Sequence, residues 1–423
     1  MNLLLRSATI ISPGSPHHDT KCDILIKKGR IEKIGDSLNA AKNAKEIKSD
    51  NLHISPGWFD MKAHFGEPGE EYKEDIKSGM NAAAKGGFTE VLLMPSTHPP
   101  IDTKSGVTHL IKKSDDHVVK IHPTGAITKG LNGNELSEMY DMKLAGAFAF
   151  TDDKKPVENT SLMINALLYA SNINSFLISN PDDVTLSNNG VMNEGETSTK
   201  MGLRGTPAIS EEIRMLRDIR LTEYTESKLH FSPISTKEGL KVLKEAKKAG
   251  LKVNAAVNAY NLSLDENEMK EYDSNLKVFP PLRSKNTIKA LKKGLKEGTI
   301  DVIQSDHIPQ DTESKKVEFM RAEPGMTSLE TLYPLVNTYA TDILDTTTII
   351  EKIAINPRKI LDLEVPVIKE GETANITAFD PSVKWKYSKD SIESKALNSP
   401  FIDEEFDGKV IGVARGERSE FFV

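Results

Sequence analysis

The sequence predicts an α/β protein with a (β/α)₈ barrel at its centre and a small β domain built from both chain ends. Two observations support this prediction. From Pro56 onward, short apolar runs alternate with helical stretches, which is typical of parallel strands joined by helices. Both ends instead show short β-like runs. We therefore expect residues 1–55 and 363–423 to form the two parts of a β-sandwich, and residues 56–362 to form the barrel.

The terminal β domain is predicted from runs that alternate or favour β-branched residues. Leu3–Ile11 is the first predicted strand. Asp23–Lys28 and Arg30–Ile34 flank Gly29, a pattern that indicates a hairpin. The runs near the other end are Ala374–Phe379, Lys409–Arg415 and Glu420–Val423.

The barrel prediction rests on about eight strand candidates separated by helical segments such as Tyr72–Lys85 and Thr236–Ala249. The candidates are Trp58–His64, Thr89–Met94, Val118–Ile121, Ala147–Phe150, Phe176–Ser179, Lys228–Phe231, Lys252–Val257 and Asp301–Gln304. A doubly wound sheet is the alternative. It is disfavoured because no Gly-rich phosphate loop follows the first of these strands.

Composition limits the classes of function. A net charge of −7 in 423 residues, without a dense Lys/Arg block, argues against nucleic-acid binding. Cys22 is the single cysteine, so an intramolecular disulfide and a thiolate zinc cluster are excluded, and a reducing cytoplasm is the expected location. No apolar run is long enough for a membrane span, and no membrane partner is expected.

Candidate functional residues are sought at the carboxyl ends of the barrel strands, where barrel proteins place their active sites. Asp60 to His64 end the first strand, Asp152 and Asp153 the fourth, and Ser179-Asn180 the fifth. Ser232-Pro233 end the sixth strand, and Ser305 to Pro309 end the eighth. Carboxylates and two histidines therefore gather at one predicted rim.

Several motifs, in order along nearly the whole chain, resemble those of bacterial dihydroorotases and their allantoinase- and hydantoinase-like relatives. The motifs are Pro56-Gly57-Trp58-Phe59-Asp60, Glu67-Pro68-Gly69, Gly86-Gly87-Phe88-Thr89, Met94-Pro95, Gly125-Ala126-Ile127-Thr128-Lys129-Gly130, Gly202-Leu203-Arg204-Gly205-Thr206-Pro207, Pro280-Pro281-Leu282-Arg283, Asp306-His307-Ile308-Pro309 and Asn398-Ser399-Pro400-Phe401. The resemblance implies an amidohydrolase-type TIM barrel with a β-sandwich made from both termini. It also implies metal-assisted hydrolysis of a cyclic amide, in which metal ions lower the pKa of a bound water.

The metal positions that the resemblance implies are largely replaced. Where the family has histidines, this sequence has Lys62, Asn180 and Pro233. The remnant positions are His64, the fourth-strand aspartate, as Asp152 or the adjacent Asp153, and Asp306, which is also the family's general-base position. We expect no resident cofactor. Zinc is the expected metal if these three remaining ligands hold one, because open catalytic zinc sites use three protein ligands.

The substrate positions that the resemblance implies are also altered. The family's arginine after the second histidine is Gly66, and two asparagines are Ser96 and Phe279. The histidine after the strand-eight motif is Gln310. Glycine cannot replace an arginine that pairs bidentately with a carboxylate. Arg283 is retained, with anchoring of a loop favoured over anion binding.

Lys62 is predicted to replace the missing metal charge by pairing with Asp306 and Asp152, since two buried carboxylates without a cation would repel each other. Three functions stay open. The first is an inactive dihydroorotase homologue with a structural or regulatory role, for which the resemblance implies aspartate transcarbamoylase as a candidate partner. The second is an active cyclic amidohydrolase with a reduced metal site. The third is a barrel that binds a small molecule without turnover. A homodimer is expected.

Overall fold

The N-terminal part of the chain forms five strands in the computed structural model, which describes residues 1–41 and 43–422. They are β1 (Asn2–Ile10), β2 (Lys21–Lys27), β3 (Arg30–Gly35), β4 (Lys45–Ile47) and β5 (His53–Pro56). The predicted hairpin is confirmed, because β2 and β3 are antiparallel and Lys27 pairs with Arg30. Gly29 has a φ of 72°, and a Cβ at this position would lie 2.5 Å from the carbonyl carbon of Gly416. The hairpin turn therefore requires glycine.

The middle of the chain alternates strands and helices, as predicted. Its elements are β6 (Trp58–Ala63), α1 (Ile76–Lys85), β7 (Phe88–Leu93), α2 (Lys104–Lys113), β8 (Lys120–Pro123), α3 (Met139–Ala145), α4 (Thr160–Asn172), β9 (Leu177–Ser179), α5 (Val184–Ser187), β10 (Met192–Asn193), α6 (Glu196–Met201), β11 (Gly205–Thr206), α7 (Ile209–Thr225), β12 (Leu229–Phe231), α8 (Lys237–Lys248), β13 (Val253–Asn258), α9 (Lys285–Lys296), β14 (Val302–Gln304), α10 (Thr312–Lys315), α11 (Leu332–Tyr339), α12 (Thr346–Ile350) and α13 (Asn356–Ile360). Short 3₁₀ helices lie at Lys129–Leu131, Ala259–Leu262, Glu266–Glu271, Ser274–Leu276 and Lys389–Ser391, and a π-helical turn at Glu351–Ile355 joins α12 to α13.

Parallel pairing closes these strands into a barrel. One sheet has the order β6-β7-β8, and the other has the order β14-β13-β12-β9. Parallel bridges of Phe150 to Gly125 and to Leu177 connect the two sheets on one side, and a bridge between Ala63 and His307 connects them on the other. The barrel fold predicted from the alternating pattern is confirmed.

The fourth barrel strand is shorter than predicted. Residues 147–150 form no extended strand, but Phe150 donates to Phe176 O (3.1 Å) and accepts from Ile178 N (2.9 Å). On the other side, Gly125 N donates to Ala149 O at 3.0 Å. The segment therefore completes the parallel ladder through single bridges.

The barrel strands are buried on both faces, which explains their continuous apolar runs. Side chains that fill the interior include Met61, Leu92, Ile178 and Ala256. Side chains on the outer face of the strands pack against the helices in a larger cluster. The interior is thus a packed core, and a functional site is expected at the carboxyl ends of the strands.

The C-terminal part of the chain returns to the first sheet as β15 (Asn375–Lys386), β16 (Glu405–Arg415) and β17 (Arg418–Phe421). The sheet has eight strands in the order β17-β16-β15-β5-β1-β2-β3, with β4 paired to β1. Strands from both ends therefore build one β domain, as predicted. The predicted last strand extended to Val423, which lies outside the described residues.

The predicted start of the first barrel helix was wrong by four residues. The helix begins at Ile76 because the Asp75 carboxylate accepts a hydrogen bond from Ser78 N at 2.8 Å and caps the first turn. The Ser78 hydroxyl completes a capping box with the backbone N–H of Asp75. Within the described residues, no helix combines the length and apolar character that a membrane crossing requires.

Candidate functional site

A buried ion-pair cluster lies at the mouth of the barrel, where the strands end. Lys62 is next to the last residue of β6, and Asp306 follows β14. Lys62 Nζ lies 3.2 Å from Asp306 Oδ1 and 3.7 Å from Asp153 Oδ1. The lysine side chain is 3% exposed and both carboxylates are fully buried. A lysine ammonium therefore lies between two carboxylates at the position where the family resemblance implied a metal ligand.

The charges of this cluster stabilise one another. Burial lowers the pKa of the Lys62 ammonium, but the negative charges of Asp306 and Asp153 outweigh this effect and raise it above the usual value. Burial raises the pKa of Asp153, but the charges of His64 and Lys62 overcome it and hold that pKa well below its usual range. Lys62 is thus a buried cation and Asp153 a buried anion at neutral pH.

The second oxygen of Asp306 is occupied by neutral donors. Tyr260 OH donates to Asp306 Oδ2 at 2.6 Å, and Asn258 Nδ2 donates to the same oxygen at 3.0 Å. Gln304 Nε2 in turn donates to Asn258 Oδ1 at 2.8 Å and fixes the amide. A general base must be within hydrogen-bond reach of the proton that it accepts. Both oxygens of Asp306 instead contact donors of this chain, with Oδ1 facing Lys62 and Oδ2 facing Tyr260 and Asn258, so neither oxygen is directed at a substrate proton.

The second oxygen of Asp153 binds His64 and Ser96. His64 Nε2 lies 2.7 Å from Asp153 Oδ2, and Ser96 Oγ donates to the same oxygen at 2.5 Å. The other ring nitrogen of His64, Nδ1, lies 3.2 Å from the carbonyl oxygen of His307. A metal-binding imidazole needs a nitrogen lone pair directed at the metal. Both nitrogens of His64 face oxygen acceptors.

The predicted partnership between Lys62 and Asp152 was wrong. Asp152 accepts hydrogen bonds from Ile127 N (2.8 Å), Thr128 N (2.9 Å) and Thr128 Oγ1 (2.5 Å). Burial raises the pKa of Asp152 to about 6, against the opposing effect of those donors. The adjacent Asp153, which has a φ of 53°, is the aspartate whose side chain faces Lys62. Asp153 therefore takes the place that had been predicted for Asp152.

The other replaced metal positions do not supply ligands. Asn180 is buried beside a small cavity that Asp152 and Asp218 also line, and Pro233 is buried after β12. Across residues 1–41 and 43–422, no group of three His, Cys, Asp or Glu side chains is arranged to hold a metal ion. The residues present at the mouth do not fit the metal site that the family fold implies.

The altered positions at which the family resemblance implied substrate contacts lie in different surroundings. Gly66 has a φ of 64°, and a Cβ there would lie 2.6 Å from Glu70 O and 2.7 Å from Glu74 O. Main chain therefore closes the space in which the family's arginine would begin. Gln310 donates through Nε2 to Pro324 O at 3.1 Å, and Phe279 is half-buried in a loop before the Pro280-Pro281 pair. Of these four positions, only Ser96 joins the cluster.

Arg283 ties two loops together. Its Nη1 donates to Asn193 Oδ1 at 2.8 Å and to Thr206 O at 2.9 Å, and its Nε donates to Ser235 Oγ at 3.2 Å. The guanidinium thereby connects the segment after β12 to the β10–β11 pair. These contacts match the loop-anchoring role that the sequence favoured.

Three site residues were not found from the sequence. Tyr260 and Asn258 hold Asp306, and Gln304 holds Asn258, but the candidate residues came from the ends of the first, fourth, fifth, sixth and eighth strands and did not include these three. The signal was present, since Asn258 ends β13 and Tyr260 follows two residues later. Lys154 adds a half-buried cation whose ammonium pKa is lowered by burial and raised in part by Asp153 and Asp306.

Comparison with solved structures identifies the fold. The chain superposes on L-hydantoinase from Arthrobacter aurescens with a TM-score of 0.86, covering 100% of this chain and 97% of that chain at 19% identity. The D-hydantoinase from Thermus sp. gives a TM-score of 0.81 at 20% identity, with 99% and 96% covered. The fold is that of the amidohydrolase-type barrels.

Sequence comparison defines the family more closely. Residues 52–239 match the family model described as Dihydro-orotase-like. The dihydroorotase of Geobacter metallireducens is 40% identical over 410 residues, and that of Geotalea daltonii is 38% identical over 410 residues; each alignment covers 96% of both chains. The chain belongs to the dihydroorotase family.

Proposed function

We propose that this chain is a dihydroorotase-family protein of pyrimidine biosynthesis that does not hydrolyse the family's cyclic amide and acts through protein binding. The observation that carries the proposal is the Lys62 ammonium, 3.2 Å from Asp306 Oδ1 and 3.7 Å from Asp153 Oδ1. A cation at this point neutralises the carboxylates that would otherwise attract a metal ion. The remnant ligands His64 and Asp306 are then committed to contacts within the chain.

The chemistry of the family reaction supports this proposal. Opening a cyclic amide at neutral pH requires a strong nucleophile, which a metal ion supplies by lowering the pKa of a bound water. The donor set at this mouth offers Lys62 and Pro233 in place of imidazoles, and proline has no ligating atom. Gly66 leaves no room for an arginine that would hold the substrate's carboxylate. Nucleophile and substrate binding are thus affected together.

An active dihydroorotase with a reduced site is the second candidate. It is favoured by the similarity to relatives named dihydroorotase, which extends over 96% of the chain. The retained Asp306 and its hydrogen bonds from Tyr260 and Asn258 are also compatible with a binding site.

We further propose that this chain is a homodimer in the cytoplasm and that its protein partner there is aspartate transcarbamoylase. This part of the proposal rests on the family relationship. Fold alone does not determine function, so the partner needs its own test.

Turnover and partner binding are tested on the full chain. Dihydroorotate hydrolysis is measured with and without added zinc, with the Geobacter metallireducens dihydroorotase as the positive control. We expect a rate equal to the enzyme-free blank, because the described residues at the mouth offer no set of ligands for a metal ion that would activate water. Aspartate transcarbamoylase from the organism that encodes this chain is expected to co-elute with the chain in gel filtration. A zinc-dependent rate above the blank would contradict the proposal, and separate elution would rule out the partner.

A further inference from the structure

Helices α8 and α9 both carry many lysines, and we call the surface that these lysines form the lysine face. In each helix four of the lysines follow the spacing i, i+4, i+7, i+11, which keeps them on one side. The other side of each helix is apolar and buried in the barrel core, through residues such as Leu243 and Leu291. The lysine face consists of Lys237, Lys241, Lys244, Lys247, Lys248, Lys285, Lys289, Lys292, Lys293 and Lys296.

The two helices lie side by side, so their lysines belong to one surface. A Cβ at Gly294 of α9 would lie 2.7 Å from Leu240 Cδ1 of α8, which shows that the helices are in direct contact. About one turn further along both helices, Lys244 Nζ lies 2.8 Å from Glu297 Oε2, so the helices run in the same direction. At a rise of about 1.5 Å per residue each helix is about 18 Å long, and two helices about 10 Å wide span about 20 Å. The lysine face is therefore a patch about 20 Å across.

The charge of the lysine face is opposite to that of the rest of the chain. Helices α8 and α9 contain ten lysines and two glutamates, Glu238 and Glu245, which gives a charge of +8. Because the whole chain has a net charge of −7, the other residues together carry −15. Charges within a patch of this size are separated by at most about two Debye lengths at physiological salt, so they attract an anion together. The fold thus concentrates positive charge on one surface of an acidic protein.

Half of these lysines are not neutralised by the chain itself. Five of the ten form an ion pair with an acidic side chain. The pairs of like charge at i and i+4, for example Lys237 with Lys241 and Lys285 with Lys289, repel each other. An anionic partner would remove this repulsion. The exposed lysines without an ion pair to any described residue are Lys237, Lys241, Lys248, Lys289 and Lys296.

The lysine face fits two classes of anionic partner poorly. Helices α8 and α9 contain no arginine and no aromatic residue, which are the side chains that pair with base edges or stack on bases. Duplex DNA is stiff over about 150 bp, so it would extend past the patch and meet the negative remainder of the chain. Basic helices that bind membranes insert an apolar face into the lipid, whereas α8 and α9 bury theirs in the barrel. A flexible acidic polypeptide can stay within the patch.

We propose that the lysine face binds a segment of a partner protein that is rich in Asp and Glu. This inference rests on the proposed role in protein binding, and it adds the surface and the chemistry of the partner. Lysine suits this role because its ammonium is a point charge with three rotatable donors, which binds carboxylates in many orientations. Charge complementarity of this kind speeds association and makes it dependent on salt.

Fluorescence anisotropy of a labelled peptide of about ten glutamates, about 33 Å long when extended, measures binding to the full chain. We expect binding at about 50 mM salt that weakens at least about tenfold at about 200 mM, because salt screens exposed charges. Removal of four unpaired lysines should weaken binding at least about tenfold without changing the melting temperature, because these lysines are exposed. This variant is Lys241→Gln/Lys248→Gln/Lys289→Gln/Lys296→Gln.

The matched control removes the same charge from exposed lysines elsewhere and should bind the peptide as the wild type does. It is Lys21→Gln/Lys33→Gln/Lys369→Gln/Lys389→Gln. Duplex DNA and vesicles of anionic lipid, at the same concentration of negative charge, are the competitors. The proposal would be overturned by any of three results: no peptide binding at about 50 mM salt, equal binding by the wild type and the α8–α9 variant, or tighter binding of either competitor.

Failure of this inference can be told apart from failure of the proposed function. If the peptide does not bind, the rate of dihydroorotate hydrolysis and the co-elution with aspartate transcarbamoylase keep their own outcomes. If zinc-dependent turnover is found instead, it contradicts the proposed function and leaves peptide binding unchanged, because the lysine face lies on the outside of the barrel.

Discussion

Replacement of Lys62 with Met is expected to lower the free energy of unfolding by about 3–5 kcal/mol, the range for removing one partner of a buried ion pair. Asp153 Oδ1 and Asp306 Oδ1 are buried and have no hydrogen-bond partner within the described part of the chain, so Lys62 is the group that compensates both. Methionine fills a similar volume but carries no charge. Urea unfolding followed by circular dichroism measures the loss.

A second substitution separates charge from packing in this experiment. Lys62→Met/Asp306→Asn removes one carboxylate together with the cation, so it should recover part of the stability that Lys62→Met loses. Lys200→Met is the matched control and should leave the unfolding midpoint unchanged, since Lys200 is exposed and forms its ion pair with Glu196, which is also exposed. Equal stability of Lys62→Met and wild type would show that the two carboxylates do not need this cation.

Arg358 lies at the opposite end of the barrel, and Arg358→Met is expected to lower the free energy of unfolding by about 3–5 kcal/mol, independently of Lys62→Met. The Arg358 side chain is 1% exposed, and its Nη2 donates to Glu90 Oε1 at 2.6 Å. Its Nη1 also donates to Gly57 O (2.7 Å) and Ala354 O (2.6 Å). Removal would leave a buried carboxylate and two carbonyl oxygens without these donors.

The same network predicts a pH dependence. Burial raises the pKa of Glu90, but Arg358 and the hydrogen bond from His122 outweigh it and hold that pKa well below the usual range. Ionised Glu90 therefore contributes stability above its unfolded pKa of about 4.3, and this contribution is lost as pH falls toward the folded value. The difference in the free energy of unfolding between the wild type and Arg358→Met should therefore become smaller below about pH 4. Arg321→Met, at an exposed arginine, is the control. A difference in unfolding free energy that does not change with pH would show that the Glu90–Arg358 ion pair is not its source.

The fold was predictable because each barrel strand carries its own signal. The buried strands appear in the sequence as apolar runs of the right length. Gly29 indicated the hairpin turn, and the structure shows that a side chain at this position would clash with Gly416. Element ends were less predictable. The helix expected from Tyr72 starts at Ile76, although Asp75 and Ser78 form a capping signal that the sequence already displays. Residues 147–150 pair through single bridges because the fourth strand is brief.

The site was predictable in its residue types but not in its pairing. A lysine and an aspartate at strand ends indicated the contact between Lys62 and Asp306, and the structure contains it. Asp152 and Asp153 are neighbours whose side chains leave the chain in different directions, so their residue type alone did not show which of them contacts Lys62. Tyr260 lies in a 3₁₀ helix just after β13, and this place after a strand end was a signal in the sequence. Its contact with Asp306, which is 46 residues further along the chain, was not visible in any local pattern.

The zinc content of the purified full chain tests the central claim most directly, namely that Lys62 takes the place of a metal ion at the barrel mouth. The protein is produced in zinc-supplemented medium, desalted without chelators and measured by plasma mass spectrometry. The expected result is no stoichiometric zinc, because a buried ammonium and an imidazole with both nitrogens engaged leave no ligand set. One or more zinc ions retained per chain would contradict the claim.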